Sequence, residues 1–396
     1  MILREAQKIV QQVLAPEQLD NFLDNILGQR FIKVGGDGSS YRAGILGANP
    51  EQAILEAFDK LAPNITCHAA APLGPHPIIQ PVASESAFKA KIDAFHALRY
   101  TVRVPLAGLV SPRLDEFLRA LEFLLHKPAT AAAFWSRGDA RAPVHHDDYD
   151  IIVLQLIGRK KWFISTNRSE LPNLWENIPT GPIALGPHEE VDVGPGDCLY
   201  LPRGTRHRVD ALADSIHLSI GFVPLTLREA VVAALDHFSD LDRTLRETVG
   251  GRVAHSVARN GFSDLAPKIR ECVGQLQALC KSDDFIAQAM QRRSSREIAD
   301  LKKLEASARR TPISANSLVR HGRLAMSHLS TSQEKIDFGY PGGHIYIHKG
   351  AEECVRFIAA TPMFRIRDVP GAVGDEIRFA LIEKFLSTGF LEQVLE

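Results

Sequence analysis

The 396-residue sequence predicts an α+β protein: a jelly-roll β-barrel, then a helical region, then a small mixed domain. Three observations predict it. Between Leu98 and Phe222, short apolar or alternating runs recur between turns that carry glycine and proline, as in sandwiches and barrels. After Phe222 the hydrophobic period lengthens to that of amphipathic helices. From about Thr311, strand and helix signals mix again. The boundaries read 1–225, 226–310 and 311–396, and a chain this long exceeds one ordinary core.

Residues 4–14 and 17–27 are amphipathic. In the second stretch Leu19, Phe22, Leu23, Ile26 and Leu27 keep helical spacing, with Pro16 near the first turn and Gly28 as the stop. Arg30 to Val34 reads as a strand ending in Gly35-Gly36-Asp37-Gly38, a turn without a phosphate-binding fingerprint. Residues 67–86, rich in Pro, Ala and Gly, read as a long loop, and His96 as a surface position on a helix. Leu98, Tyr100, Val102 and Val104 alternate as a strand. Ser111-Pro112 then opens a helix whose Leu114, Phe117, Leu118 and Leu121 face the barrel.

The run Asp150 to Ile157 is β-branched and almost continuously apolar, which fits a strand buried on both faces. Gly158 breaks it, and Lys160 to Ile164 reads as the returning strand of a hairpin. Gly194-Pro195-Gly196-Asp197 makes a turn, Cys198 to Leu201 a strand, and Pro202-Arg203-Gly204 a second turn that delivers His207. In the next strand Ser215, His217 and Ser219 share one face; Ile216, Leu218, Ile220 and Phe222 share the other. Thr226-x-x-Glu229 is a capping box ahead of an apolar face of Val231, Leu235 and Phe238. Ile269, Val273, Leu276 and Leu279 form a second stripe, and both need burial by the barrel or by a second subunit. Residues 291–310 hold seven basic and three acidic side chains, which reads as a solvated helix face before an RNA or acidic-peptide site. In the last domain Gly343–His348 reads as a strand, and Glu352–Ala360 and Asp375–Thr388 as helices, the second stopped by Gly389.

The chemistry-bearing pattern is His145-x-Asp147 followed by a distant single His207. Side chains two apart on an extended segment point the same way, so an imidazole and a carboxylate converge. Two imidazoles and one carboxylate hold one face of an octahedron, a set suited to Fe(II) with positions left open for a cosubstrate and oxygen. His146-x-Asp148 satisfies the same spacing. Of Arg159, Lys160 and Lys161, one faces inward, and spacing alone does not say which. Trp135, Arg137 and Tyr149 are candidates to line a substrate path.

The segment Val144 to Phe222 resembles the JmjC-type cupin oxygenases, the ribosomal oxygenases in particular. The matching motifs are His145-x-Asp147, Gln155-x-x-Gly158-x-Lys160-Lys161-Trp162, and Gly196-Asp197-x-Leu199-Tyr200-x-Pro202-x-Gly204-x-x-His207. The resemblance implies a double-stranded β-helix barrel and Fe(II) held by His145, Asp147 and His207, the register set by the distance to Gly158 and Lys160. It implies 2-oxoglutarate as cosubstrate, its far carboxylate gripped by Lys160 with help from Ser136; Ser219 is grouped with them. It further implies a protein or peptide substrate such as a ribosomal protein, a homodimer through the helical region, and a winged-helix-like C-terminal domain. In that domain Glu376, Arg378, Glu383 and Lys384 nearly cancel, so direct nucleic-acid binding is not expected. Two rival readings keep the fold and change the chemistry or its target. One is a hydroxylase of a metabolite or precursor peptide, the other a metal-binding cupin without 2-oxoglutarate.

Composition sets outer limits. With 46 basic and 47 acidic residues the net charge is −1, which gives no global field toward nucleic acid or membrane. The five cysteines form no C-x-x-C pair and read as reduced thiols. No signal peptide or membrane-spanning run is visible, so a cytoplasmic location is expected.

Overall fold

A computed structural model describes residues 2–75, 82–106, 110–172, 183–248, 265–307, 311–331 and 334–394. The chain divides into two compact units, Met1–Pro224 and Leu225–Glu396.

The first unit is built on β1 (Ile32–Val34), β2 (Thr66–His68), β3 (Thr101–Leu106), β4 (Ala129–Ser136) and β5 (Asp150–Ile157). These are followed by β6 (Lys160–Ser165), β7 (His188–Val193), β8 (Cys198–Leu201), β9 (His207–Ala211) and β10 (Ser215–Phe222). A larger antiparallel sheet has the order β1-β8-β5-β10-β4-β3-β2, and a smaller one the order β7-β6-β9. The apolar run of β5 is explained by its place: it lies between β8 and β10, and its first seven residues are buried. The expected hairpin does not form. Both edges of β5 are already taken, so the chain leaves the large sheet at Gly158 and β6 pairs with β7 and β9 instead. Gly158 has φ +64°, and a Cβ there would stand 2.0 Å from the Asp214 carbonyl oxygen, so only glycine makes this crossing. Ile151, Val153, Leu199 and Leu201 of the large sheet meet Trp162, Ile164, Val193 and Val209 of the small one. That interleaving is a jelly-roll sandwich.

Helices α1 (Ile2–Leu14), α2 (Glu85–Ala97) and α3 (Pro112–Leu125) complete this unit, with α2 packed on β3 and α3 on β4 and α1. Ser111 caps α3 through its hydroxyl, which accepts from Leu114 N, and Leu114, Phe117, Leu118 and Leu121 are buried. The second amphipathic stretch is helical from Leu19 through Ile26, the last turn in π form. Two expectations are corrected. His96 is buried, its Nε2 bonded to the Trp135 carbonyl at 3.0 Å, because Phe88, Ile92 and Phe95 turn that face of α2 inward. Of the loop expected over 67–86, Cys67 and His68 belong to β2 and pair with β3 as an edge strand, Glu85 and Ser86 open α2, and residues 76–81 lie outside the described part.

The second unit opens with α4 (Leu227–Leu241), α5 (Ala266–Leu279) and α6 (Asp283–Asp300). The capping box forms at Thr226 and Glu229. Helices α4 and α6 bury Ala234, Phe238, Phe285 and Ala289 together, with Leu276 and Leu279 against them. Of the face expected on α4, Phe238 is buried, but Val231 and Leu235 are exposed, as are Ile269 and Val273 on α5. The basic stretch is not simply solvated. Arg292 bridges Asp236 and Asp240, and Arg293 bridges Glu229 and Glu297, so the arginines clamp α6 to α4. Arg309 and Arg310 lie outside the described residues.

Beyond these helices come β11 (Leu318–His321), β12 (His328–Thr331), β13 (Lys335–Tyr340), β14 (Gly343–His348), β15 (Met363–Arg365) and β16 (Leu391–Gln393). They form two three-stranded sheets, β15-β11-β16 and β12-β13-β14. With α7 (Glu352–Ala360) and α8 (Asp375–Ser387) they enclose a core around Phe338, Phe385 and Phe390. Among the described residues no helix is long and apolar enough to cross a membrane.

Candidate active site

His145 and His207 are brought together by the backbone. Each donates its N–H to the other's carbonyl, at 3.0 and 2.8 Å, an isolated antiparallel bridge at the rim of the small sheet. The turn before His207 is tied to the other arm as well, since Gly204 N donates to the Asp147 carbonyl at 2.8 Å. As a result His145, Asp147 and His207 place one ligand atom each within 4.8 Å of one another, with His207 Nε2 3.8 Å from Asp147 Oδ2. The Nδ1 atoms of His145 and His207 each lie 2.9 Å from a carbonyl, of Pro143 and Thr205. A carbonyl only accepts, so each Nδ1 carries a proton and Nε2 is the ring atom turned toward the other ligands. Burial holds His207 neutral, its pKa pushed down to about 4, and the Trp162 ring stacks on it at 5.4 Å. Two imidazoles and a carboxylate fit a divalent transition metal. Among the described residues, His146 and Asp148 do not join this cluster.

Behind these three residues lies a cavity of about 500 Å³, mouth included. Lys160 enters it from β6, is 2% exposed, and has no acidic partner among the described residues. Its Nζ donates to Ser136 Oγ at 2.9 Å and to the Phe134 carbonyl at 3.2 Å, and Ser136 is 2.9 Å from Thr101 Oγ1. Burial lowers the Lys160 pKa to about 7. A desolvated ammonium with neutral partners is a ready seat for a carboxylate. Ser219 lines the cavity from β10, while Lys161 turns outward to Glu190.

Residues 111–230 match the family described as the JmjC domain. This segment is a JmjC domain.

Curated relatives match over short stretches. Ribosomal oxygenase 2 of Rattus norvegicus is 38% identical over 86 residues, 21% of this chain and 18% of that protein. Ribosomal protein uL16 3-hydroxylase of Escherichia coli (strain K12) is 29% identical over 97 residues, 24% of this chain and 25% of that protein. The chain thus spans a quarter or less of the length of these relatives. The crystal structure of Escherichia coli ribosomal oxygenase YcfD is similar with a TM-score of 0.52 and 16% identity, covering 96% of this chain and 98% of that one. A structure of YcfD with cobalt and succinic acid gives 0.52 and 15% over the same shares. The chain that carries this JmjC domain therefore shares its fold with YcfD.

Within the JmjC domain, the residues expected along a substrate path separate. Tyr149 stands at the mouth, 47% exposed. Trp135 points the other way, against His96, because it alternates with Phe134 and Ser136 on β4. Arg137 is held by Asp214 and Asp93, away from the cavity. Sequence reasoning missed Thr101, His68 and Phe134 as cavity residues. For Thr101 the signal was present: if Val102 and Val104 face the core of their strand, Thr101 and Arg103 face the opposite way. His217, placed on the Ser219 face by alternation, stacks on Phe134 at 5.0 Å, and burial drives its pKa well below the usual value.

Proposed function

We propose that this protein is an Fe(II)- and 2-oxoglutarate-dependent oxygenase that hydroxylates a side chain of a protein or peptide, with ribosomal proteins as the substrate class indicated by its relatives' names. The observation that carries the reading is the pairing, on one cavity, of a buried Lys160 that has no acidic partner among the described residues with a three-ligand face. A dicarboxylate that chelates a metal needs both.

In this reading His145 Nε2, Asp147 carboxylate and His207 Nε2 hold the ion, and Lys160 with Ser136 holds the far carboxylate of the cosubstrate. Iron with 2-oxoglutarate supplies the power to insert an oxygen atom into a C–H bond. The chain's own work is positional. The carbonyls of Pro143 and Thr205 fix the imidazole tautomers, Trp162 keeps the His207 ring in place, and Phe134 and Trp162 wall off water where a reactive oxidant needs exclusion. Ser219, between the two ends, contacts the cosubstrate. The test is succinate release from 2-oxoglutarate under Fe(II), together with intact-mass comparison of ribosomal proteins from cells with and without this protein. Gain of one oxygen on a single ribosomal protein supports the reading; no 2-oxoglutarate turnover in the iron-loaded protein sinks it.

The exposed apolar side chains Leu227, Val231, Leu235, Ile269 and Val273 of α4 and α5 support a homodimer through this helical region. Light scattering then gives twice the chain mass, and Val231→Glu with Ile269→Glu gives a monomer. The C-terminal sheets and helices act as a winged-helix-like architectural domain, and the protein works in the cytoplasm, where iron, 2-oxoglutarate and ribosomes meet.

A further inference from the structure

Asp150 is the first residue of β5, three positions after Asp147, and it is fully buried. Its neighbour Ile151 lines the cavity, so Asp150, on the opposite face of β5, stands apart from the three ligand atoms. Its carboxylate accepts from the Tyr200 hydroxyl, from Arg203 N at 3.2 Å and from Arg203 Nη1 at 3.4 Å. Register explains the reach: Tyr200 pairs with Ile152, which puts its ring diagonally beside Asp150 on the same face of the large sheet. The Tyr200 oxygen accepts in turn from Gly28 N at 2.6 Å, and Phe22 packs edge-on against the ring, with centroids 4.9 Å apart. A carboxylate taken out of water is costly to keep. An apolar residue at this position would continue the pattern of β5 without that cost.

Arg203 is the middle residue of the turn that leads into His207. Asp150 holds its N–H, and one residue on, Gly204 N donates to the Asp147 carbonyl at 2.8 Å. The carbonyl of the following residue, Thr205, fixes the His207 ring through Nδ1 at 2.9 Å. Chain and hydrogen bonds thus close a ring that runs from Asp147 to Asp150, across to Arg203, on to Gly204 and back to Asp147. The carboxylate ligand lies on this ring, and the second imidazole ligand hangs from it by three residues. Without the Asp150 acceptor the turn is released at its centre, and His207 is free to shift against Asp147. We propose that Asp150 is a positioning residue for the candidate metal centre, acting through the Arg203–Gly204 turn to fix the separation of Asp147 and His207. The ion and its chemistry rest on the oxygenase reading above; the coupling of the two ligand arms does not.

The test uses the full chain and two probes: Mn(II) affinity by electron paramagnetic resonance, and the visible absorption of bound Co(II), which reports coordination geometry. Asp150→Asn keeps the size of the side chain but offers one acceptor oxygen where the carboxylate offers two. It is expected to weaken Mn(II) binding about tenfold or more and to change the Co(II) spectrum. A role in stability alone gives a different pattern, a weaker fold around an unaltered metal site. Phe117→Leu supplies that comparison, since Phe117 is buried on α3, which packs on β4 and α1. It should lower the urea midpoint and leave affinity and spectrum as they were. Should Asp150→Asn fail to fold, Arg203→Leu, which removes the guanidinium contact to Asp150, must change the Co(II) spectrum by itself. A folded Asp150→Asn protein that binds Mn(II), or absorbs with Co(II), as the parent does overturns the proposal. So does an equal loss of affinity in Phe117→Leu. A parent chain that binds both ions yet forms no succinate with iron fails the oxygenase reading alone; one that binds neither ion overturns both.

Discussion

Lys160 offers the sharpest test, because its charge state and its ligand are linked. Burial brings its pKa from 10.5 to about 7 in the ligand-free protein. A bound carboxylate favours the ammonium and raises that value again, so above about pH 7 binding must take up a proton. Affinity for 2-oxoglutarate should then fall as pH rises, roughly tenfold between about pH 6 and about pH 8. Calorimetric titration of 2-oxoglutarate into the Mn(II)-loaded protein, in two buffers of different ionisation enthalpy, reads this directly. The heats should differ by close to one proton at the higher pH and converge at the lower. Lys160→Met should remove the buffer dependence and weaken binding by about 2–3 kcal/mol, the worth of a buried charged hydrogen bond. The ligand-free variant should be more stable than the parent. The sign follows from the depressed pKa: the unfavourable buried charge is fully present below about pH 7 and is relieved as pH rises toward 10.5. At about 1.4 kcal/mol per pKa unit the ceiling on that gain is ~5 kcal/mol, reduced because Ser136 loses one of its two partners and keeps Thr101. Heats that do not depend on buffer, or a Lys160→Met protein that binds as the parent does, would refute the argument.

Other outcomes follow from the same geometry. His207→Ala should lower 2-oxoglutarate turnover by at least about 100-fold while circular dichroism stays unchanged, and Mn(II) binding seen by electron paramagnetic resonance should be lost with it. Ser136→Ala removes a hydrogen bond to Lys160 and should raise the KM for 2-oxoglutarate about three- to tenfold with little change in kcat. Gly158→Ala should destabilise the first unit by about 3 kcal/mol or more, seen in urea melts, because the new Cβ meets the Asp214 carbonyl. Arg293→Ala breaks a partly buried double ion pair and should cost about 1 kcal/mol in the second unit, an effect that weakens in high salt.

Much of the barrel was legible because its signals are local. The apolar run of β5, the turns at 194–197 and 202–204, and the alternation of β10 each depend on residues a few positions apart. The pairing of β6 was not legible: whether Lys160 to Ser165 returns beside β5 depends on β8 and β10, which come later in the chain and occupy both of its edges. His96 was misplaced for a similar reason, since helical spacing shows an apolar face but not that a polar ring at its margin finds the Trp135 carbonyl. The candidate ligands could be read as a set from His145, Asp147 and His207, while spacing alone left His146 and Asp148 open; among the described residues it is the first pair that lies beside His207. The arginines of α6 looked like a solvated stripe because their acidic partners sit on another helix.

The mutual backbone bonds of His145 and His207 have a bearing on which ion the candidate site would take. They aim both rings by ordinary chain pairing, so a cation held there would meet donors that the backbone itself orients. A preformed three-donor face of this kind grips several first-row ions, in the general order that rises from manganese to copper. Discrimination among such ions would then come from their supply where the chain folds more than from the three donors themselves.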